Sequence, residues 1–463
     1  MRGNSGKLHS APMMKQNDLL SRYGKPVPRY TSYPTAPHFH NGVRADTYME
    51  WLRAIPEDQP LSLYFHIPYC DTLCWFCGCH TKITKRYGPI KEYLASLLRE
   101  IDLVASALGP RRPVRHIHLG GGSPTILKPD DFLRLGERIN QNFCLMDDAE
   151  FAVEIDPRGV DDVLIRAMAD AGVNRASVGV QDVNPIVQKA INRIQPFSET
   201  ARVIEGLRAE GITGINVDLI YGLPHQTTRL VEGTIEAVAK LRPSRLALFG
   251  YAHVPWMKTH QKMIDEKVLP NAEERLEQAE AAAKAIEKAG YVPIGLDHFA
   301  LPEDPLAVAY AKGNLRRNFQ GYTTDQSEIL IGFGASAIGV NPGGYVQNEP
   351  SLRDYQRRVD GGILPVTKGV AVSADDALRR EVIQDIMCSY KVDLADTMIR
   401  HNVPNTYFDF ELEGLADMEA DGLIERDGPK ITVTKAGQPF VRTIAARFDA
   451  YLDNGKGRHS MAV

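Results

Sequence analysis

The sequence predicts an α/β fold in which parallel strands alternate with amphipathic helices. Between about residues 60 and 295, short apolar runs alternate with segments of helical periodicity, and this alternation is typical of parallel β/α units. The stretch contains six apolar runs, and a polar, glycine or sulfur-containing residue lies at or just past the end of each run. Six units fit a partial (β/α)6 barrel better than a closed barrel of eight strands.

The strands of these units are predicted over 61–66, 114–119, 151–154, 175–180, 214–219 and 245–251. The helices between them are predicted near 90–107, 129–142, 160–171, 197–210 and 228–241. A further helix over 272–289 has the clearest ends, because Asn271 can cap its first turn and Gly290 follows its last turn.

Residues that could carry chemistry follow the ends of all six predicted strands. They are Cys70, the glycines of 120–122, Glu154 with Asp156, Gln181 with Asp182, Asp218, and the segment 251–253. The active site of a β/α barrel is built at the carboxyl ends of its strands. We therefore expect these residues to converge on one rim of the barrel.

The whole chain is predicted to have four regions. They are a polar, proline-containing N-terminal arm over 1–55, the barrel over 56–300, a loop-rich extension covering the substrate over 301–370, and a small helical C-terminal domain over 371–463. In the last region a helix over 409–420, a hairpin over 423–434 and a helix over 435–452 suggest a winged-helix-like domain. Residues 374–450 contain 15 acidic and 9 basic side chains, a net charge of −6 that disfavours nucleic-acid binding.

Composition places the chain among ordinary globular proteins. The 463 residues carry a formal net charge of −4, which gives no general attraction to nucleic acid or to an anionic membrane. The sequence contains neither a signal-peptide-like start nor the run of about 20 apolar residues that a transmembrane helix needs. Four of the six cysteines are clustered, so a disulfide framework is not expected. We expect a cytoplasmic protein, monomeric and without a membrane partner.

The clustered cysteines follow the first predicted strand. Cys70, Cys74 and Cys77 have the spacing C-x3-C-x2-C. Iron–sulfur cubes are ordinarily held by four cysteines, so three thiolates leave one iron open, and an open position is typical of a reactive metal site. Cys79 lies two residues further on. A zinc knuckle made by the four cysteines remains the alternative.

Three other features of the rim could bind a ligand. The glycines of 120–122 allow a close approach of backbone to a ligand, and they lack the Lys-Ser/Thr pair of a nucleotide triphosphate loop. Glu154 and Asp218 could accept hydrogen bonds from an ammonium or ribose group, and Arg193 could bind a carboxylate. The alternatives are an ordinary tight turn, solvated carboxylates and a surface arginine.

The cysteine spacing resembles that of the radical S-adenosylmethionine (SAM) enzymes. Over longer stretches the chain resembles the oxygen-independent coproporphyrinogen III oxidases, through residues 29–35, 64–79, 116–122, 179–182, 187–190, 251–255, 295–302 and 318–324. The heme chaperones of the same superfamily are the nearest alternative, but they usually carry Phe at the position of Cys79 and lack the long N-terminal arm. Ser123 stands where the family often has Thr, and the hydroxyl group is retained.

The resemblance implies a radical SAM barrel that holds a [4Fe-4S] cluster on Cys70, Cys74 and Cys77, with two SAM molecules. The residues implied for the first SAM are Tyr64, Gly121, Glu154, Ala252 and Ile338. Those implied for the second SAM are Phe76, Gly122, Ser123, Gln181, Arg193 and Asp218. Candidates for a direct part in catalysis are Cys79, His66 and Gln320.

The implied activity is the conversion of coproporphyrinogen III to protoporphyrinogen IX in heme biosynthesis. Two propionate side chains would be oxidatively decarboxylated to vinyl groups by a 5′-deoxyadenosyl radical, with an electron from an external donor. Arg29, Arg316 and Arg317 are candidates for binding the propionates of the tetrapyrrole. A heme carrier and a zinc-stabilised structural protein remain the alternative functions.

Overall fold

The computed structural model describes residues 16–452, which form two compact units. The larger unit comprises residues 31–377, and the smaller unit combines residues 16–30 with residues 378–452. The four regions predicted from the sequence stay a prediction, and the two compact units meet in the chain near residues 30 and 377.

The described residues contain nineteen strands and sixteen α-helices. The strands are β1 Leu61–Ile67, β2 Tyr69–Cys70, β3 Lys82–Ile83, β4 Arg112–Gly121, β5 Phe143–Ile155, β6 Arg175–Gln181, β7 Gly214–Tyr221, β8 Arg245–Gly250, β9 Val292–Ile294, β10 His298–Ala300, β11 Arg316–Asn318, β12 Gly321–Thr323, β13 Ile329–Phe333, β14 Ile338–Asn341, β15 Gly344–Asn348, β16 Val366–Ala371, β17 Lys391–Asp393, β18 Ile424–Asp427 and β19 Lys430–Val433. The helices are α1 Gln16–Tyr23, α2 Ala45–Arg53, α3 Gly88–Leu108, α4 Pro129–Asn142, α5 Asp162–Asp170, α6 Pro185–Ala190, α7 Phe197–Ala209, α8 Thr228–Ala239, α9 Ala272–Lys288, α10 Pro305–Ala311, α11 Leu352–Asp360, α12 Ala374–Ser389, α13 Leu394–Arg400, α14 Asp409–Glu413, α15 Ala416–Ala420 and α16 Val441–Ala445.

The six predicted parallel strands are confirmed as neighbours in one sheet. Their order is β1-β4-β5-β6-β7-β8, and each adjacent pair is parallel. Alternation of side chains explains why these segments form strands with two different faces. In β1, Leu61 and Phe65 join the apolar core, whereas Ser62 lines an interior cavity. The sheet is open, with β16 and β9 at its edges, so the partial barrel is confirmed.

The prediction of a loop-rich region over 301–370 is corrected by the structure. This region contains β11–β16, and β13 pairs with β1 in parallel before β14–β16 extend the same sheet in antiparallel order. All five residues of β13 are buried. A short strand that is buried on both faces lacks the apolar–polar alternation that sequence patterns detect.

Helices α3, α4, α5, α7 and α8 confirm the five predicted between the strands, with ends shifted by a few residues. The shift at α5 has a local cause, since the Asp161 side chain accepts a hydrogen bond from the backbone of Leu164 and caps the helix. Asn271 and Glu274 form the capping box of α9, which confirms its predicted start.

The smaller unit confirms the predicted hairpin and corrects the predicted helices. Strands β18 and β19 are antiparallel, and β17 joins them in a three-stranded sheet. The helix predicted over 409–420 consists of α14 and α15, and the one predicted over 435–452 contains only the short α16 between two 3-10 turns. Arg442 of α16 donates hydrogen bonds to the carbonyls of Val27 and Pro28, which ties residues 16–30 into this unit. In the part of the chain that is described, no helix is both long and apolar enough to cross a membrane.

Candidate active site

A polar cavity of about 210 Å³ lies inside the barrel. It brings together Glu154 of β5 and Asp218 of β7, two of the carboxylates predicted to meet at the strand ends. Its other polar lining residues are Ser62, His116, His118, Glu150, Arg175, Ser177, Asn216, Arg245, His298, Asn318, Gln320, Thr323 and Asp325. Such a concentration of charged side chains inside a barrel is unusual for a packed core and indicates a ligand site.

Glu154 is fixed by two groups of β4. Nε2 of His118 lies 3.1 Å from Oε1 of Glu154, and the backbone N–H of Gly121 donates to Oε2 at 3.1 Å. The ring of Tyr64 stacks against His118 at 5.9 Å. Burial alone would raise the pKa of Glu154, but the hydrogen bond and charge of His118 and the Gly121 N–H outweigh it and lower this pKa. The carboxylate is therefore held ionised.

Asp218 has a different environment. The Ser177 hydroxyl donates to its Oδ2 at 2.8 Å, and Nδ2 of Asn216 donates to its Oδ1 at 2.9 Å. Burial, followed by the nearby charge of Glu154, raises the pKa of Asp218. Oδ1 of Asn216 is buried and has no hydrogen-bond partner among the described residues. Because buried polar atoms are normally paired, this oxygen offers an acceptor to a donor group of a bound ligand.

The glycine turn at the end of β4 is packed too closely for any side chain. A Cβ added to Gly121 would lie 2.6 Å from the imidazole of His66, and one added to Gly122 would lie 2.5 Å from the carbonyl oxygen of Tyr69. Gly121 also has a φ of 111°, a conformation that other residues rarely adopt. The turn thus packs at close range against β1 and β2, and its approach to a ligand stays a prediction.

We expect Gly121→Ala to destabilise the protein by more than the cost of placing alanine at a positive φ. The positive φ alone costs about 1–2 kcal/mol of unfolding free energy, and crowding against His66 adds to that cost. Gly109→Ala is the matched control, since Gly109 has a φ of 85° and nothing within 4 Å of the added Cβ. Urea unfolding measures the loss of stability, which should be larger in Gly121→Ala than in Gly109→Ala. SAM titration should show weakened binding in Gly121→Ala only. Equal losses of stability and of SAM binding in the two variants would show that position 121 needs glycine only for its positive φ, and not for its close packing against His66.

The cysteine loop runs from the end of β2 to Cys79. Cys74 is buried, Cys70 and Cys77 are partly buried, and Cys79 is exposed. Neighbouring segments fix the loop: the N–H of Trp75 donates to the carbonyl of Ile191 at 2.9 Å.

The segment that follows β8 holds the loop from the other side. His260 contacts the carbonyl of Cys77 at 2.8 Å through Nε2, and Lys258 donates to the carbonyl of Cys79 at 2.9 Å. Nε2 of Gln261 donates to the carbonyls of Phe76 and Ala252, at 3.0 and 3.2 Å. Two residues implied for different SAM molecules, Phe76 and Ala252, are thereby brought together.

The thiols of the loop fit a cluster with three cysteine ligands. Burial, followed by the charges of Cys77 and Cys74, raises the pKa of Cys70 to about 12. Within residues 16–452, no three His, Cys, Asp or Glu side chains converge tightly enough for a single metal ion. A four-iron cube takes one thiolate at each of several separate corners, and three thiolates on one loop suit that geometry.

Arg193 lies beside the loop in a charged group. Its Nη1 is 3.0 Å from Oδ2 of Asp156 and 3.5 Å from Sγ of Cys74, and its Nη2 donates to the carbonyl of Gly179 at 2.7 Å. The side-chain amide of Gln181 lies close to the same glycine. The structure thus brings Arg193 to the cysteine loop and Gln181 to Gly179, which Arg193 also contacts, and the contact of Arg193 and Gln181 with SAM stays a prediction.

His66 connects β1 to the residue that follows the cysteine loop, His80. Its Nδ1 is 3.0 Å from the hydroxyl of Tyr64, and its Nε2 is 2.9 Å from the carbonyl of His80. Burial lowers the pKa of His66, which keeps the imidazole neutral. Both ring nitrogens are therefore engaged in positioning, and a direct catalytic role for His66 stays a prediction.

The remaining predicted residues lie at the margins of the site. Ser123 pairs with Thr125 through their hydroxyls at 2.8 Å, and Gln320 lines the cavity. Ile338 lies in β14 and packs on a separate apolar cluster that includes Phe319 as a partly buried neighbour. The SAM contacts of Ser123 and Ile338 and the catalytic part of Gln320 stay predictions.

The three arginines predicted to bind propionates are in different settings. Arg316 is exposed, with Nε 3.3 Å from the side-chain oxygen of Gln326. Arg317 is buried over the ring of Tyr322 at 4.5 Å, and its Nη1 lies 4.0 Å from Asp297. Arg29 belongs to the smaller unit and is exposed. A propionate would have to compete with Asp297 for Arg317, so Arg316 is the more accessible candidate in the larger unit.

Sequence reasoning missed His118, Arg158 and Gln261. His118 alternates with His116 along β4, and this period of two could have indicated a second polar side chain on the cavity face. Arg158 donates to Sγ of Cys74 at 3.4 Å across 84 positions of sequence. Gln261 lies in a short 3-10 helix over Thr259–Met263, and no pattern in the sequence pointed to Arg158 or to Gln261.

Known proteins share both the sequence and the fold. Residues 64–238 match the radical SAM superfamily. The chain is 49% identical over 447 residues to an oxygen-independent coproporphyrinogen III oxidase of Bradyrhizobium diazoefficiens, covering 96% of this chain and 99% of the relative. It is 41% identical over 454 residues to the corresponding protein of Paracoccus denitrificans, covering 97% and 100%. The solved structure of coproporphyrinogen III oxidase from Escherichia coli, a radical SAM enzyme, superimposes with a TM-score of 0.88 at 37% identity, covering 92% of this chain and 100% of that one.

Proposed function

We propose that this chain, which belongs to the oxygen-independent coproporphyrinogen III oxidase family of radical SAM enzymes, converts coproporphyrinogen III to protoporphyrinogen IX. The resemblance seen in the sequence motifs is thereby confirmed. The observation that carries the proposal is 49% identity extending over 99% of a relative of that name. In this chain Arg193 contacts both Cys74 of the cysteine loop and Asp156, which follows β5. Family membership decides against a zinc-stabilised structural protein.

A [4Fe-4S] cluster and SAM are the cofactors of this superfamily. When bound, they supply a 5′-deoxyadenosyl radical that can remove a hydrogen atom from the β-carbon of a propionate. That hydrogen is not acidic, so a side-chain base could not remove it, and the protein contributes binding, orientation and shielding. In this chain Cys70, Cys74 and Cys77 would hold the cluster.

The first SAM is proposed to lie against Glu154 and the glycine turn. The ionised carboxylate, fixed by His118 and the Gly121 N–H, is suited to accept hydrogen bonds from a ligand with ammonium or hydroxyl groups. Tyr64 stacks on His118 and so limits the movement of this histidine, which holds Glu154. Ala252 and Ile338 are carried over from the family resemblance.

A second SAM is proposed beside Asp218, Gln181 and Arg193. Asp218 already accepts bonds from Ser177 and Asn216, and the unpaired Oδ1 of Asn216 gives a further acceptor in the same cavity. Phe76, Gly122 and Ser123 complete this proposed site from the family resemblance. Two bound SAM molecules per chain in an anaerobic equilibrium titration would support it, and one would contradict it.

The substrate side of the site is proposed to include Cys79 and Gln320. Cys79 is the exposed cysteine of the loop, and Gln320 lines the cavity. Arg316 remains the accessible candidate for a propionate in the larger unit. The setting we propose is a cytoplasmic monomer that receives its electron from an external donor.

Product analysis tests the function directly. The full chain is reconstituted anaerobically with iron and sulfide and incubated with coproporphyrinogen III, SAM and a strong reductant. We expect protoporphyrinogen IX and 5′-deoxyadenosine, and neither product when SAM is omitted. Tight heme binding without vinyl formation would favour the heme carrier instead.

A further inference from the structure

Two arginines lie against the sulfur of Cys74. Nη2 of Arg158 donates to Sγ at 3.4 Å, and Nη1 of Arg193 donates to it at 3.5 Å. Cys74 is only 7% exposed. Charges interact more strongly across such a buried region than across water, so the two guanidinium groups act on this sulfur with little screening.

Asp156 binds both arginines. Nε of Arg158 is 2.9 Å from Oδ1 of Asp156, Nη2 of Arg158 is 2.6 Å from Oδ2, and Nη1 of Arg193 is 3.0 Å from Oδ2. The backbone N–H of Arg158 also donates to Asp156. Two positive charges and one negative charge leave a net charge of +1 beside Cys74. The carboxylate both positions the arginines and reduces their electrostatic effect.

We infer that Arg158, with Asp156 as its counter-charge, sets the reduction potential of the [4Fe-4S] cluster bound at Cys74. The inference rests on the proposed function, because it needs the cluster that the cysteine loop would hold. Hydrogen bonds to the sulfurs and the surrounding net charge are known determinants of cluster potentials. Uptake of one electron from the external donor makes the cluster more negative by one charge, and a neighbouring cation stabilises that state.

Arg158 suits this positioning role better than Arg193. Arg193 also donates to the carbonyl of Gly179, and the family resemblance assigns it to a SAM molecule. Arg158 instead directs its guanidinium to Asp156 and Cys74, and its side chain is only 17% exposed. Its effect therefore passes through Cys74 and requires no contact with substrate or SAM.

The charges predict shifts of opposite sign. Arg158→Gln removes the positive charge and should lower the midpoint potential, whereas Asp156→Asn removes the negative charge and should raise it. Arg158→Lys keeps the charge and should have a smaller effect than Arg158→Gln. A purely structural role would not produce opposite shifts from two neighbours in contact.

The test is a redox titration of the reconstituted full chain, followed by electron paramagnetic resonance, without substrate. At the wild-type midpoint, we expect Arg158→Gln to show about a tenfold lower ratio of reduced to oxidised cluster, equivalent to about 59 mV for a one-electron couple. Asp156→Asn should show a higher ratio. Arg166→Gln is the matched control, because the Arg166 side chain is 69% exposed and pairs with Glu210, and it should match wild type.

Each outcome decides the inference. Unchanged midpoints, or shifts in the same direction for Arg158→Gln and Asp156→Asn, with normal iron content, would overturn it and leave the proposed function intact. If Arg158→Gln assembles no cluster, a raised midpoint in Asp156→Asn together with a near-wild-type value in Arg158→Lys supports the inference, and any other pair of values overturns it. A wild-type chain that assembles no cluster would refute the proposed function and this inference with it.

Discussion

Replacing Cys70, Cys74 or Cys77 by Ser is expected to abolish the iron–sulfur cluster and all turnover of coproporphyrinogen III. Each substitution removes one of three thiolates, and a cube that already has one open iron would keep only two protein ligands. Iron and sulfide content after anaerobic reconstitution should fall to background in all three variants. SAM cleavage and vinyl formation should become undetectable.

Two other cysteines provide the controls for this result. Cys144 is exposed and lies at the start of β5, away from the loop in sequence, so Cys144→Ser should be normal in iron and activity. Cys79→Ser should keep its iron and lose activity, because Cys79 is exposed and its proposed role is on the substrate side. Normal iron in a variant of Cys70, Cys74 or Cys77 would remove that residue from the ligand set. Loss of iron in Cys79→Ser would contradict a cluster that is held by three cysteines only.

The strands of the barrel could be predicted from sequence because each carries a local signal. Strand β1 places apolar side chains at alternate positions and ends next to the cysteine loop, and β4 ends in glycines. Strand β13 has no such signal, since its residues are all buried and its parallel partner β1 is more than 250 positions away. Pairing over that distance depends on tertiary packing, which a local pattern cannot show.

The residues of the site also differ in whether a local sequence pattern reveals them. The cysteine spacing and the glycine turn are local patterns whose chemistry can be inferred directly from the sequence. The partners that position them are distant: His118 reaches Glu154 from 36 positions away, and Arg158 reaches Cys74 from 84. These contacts follow from the register of parallel strands and from the loops beyond their ends. Sequence reasoning therefore found the residues proposed to touch the cofactors and missed the residues that hold them.

Glu154→Ala is expected to weaken SAM binding while leaving the cluster intact. The carboxylate is ionised and lies at the rim, but it is fixed by His118 and Gly121 and not by the cysteine loop. Hydrogen bonds to charged groups contribute about 1.5–3 kcal/mol each, so the loss of one corresponds to roughly 10- to 150-fold weaker binding. Anaerobic SAM titration of the reconstituted variant measures the change.

Two further variants make the Glu154 result specific. Glu154→Gln keeps the shape and removes the charge, so it should weaken SAM binding in the same direction as Glu154→Ala. Glu137→Ala is the control, because Glu137 is exposed on α4, and it should bind SAM like wild type. Iron content should match wild type in all three, since none of these residues supplies a thiolate. Wild-type SAM affinity in Glu154→Ala would show that the carboxylate serves only to hold His118 and the glycine turn, and the first SAM would then need a different anchor at the rim.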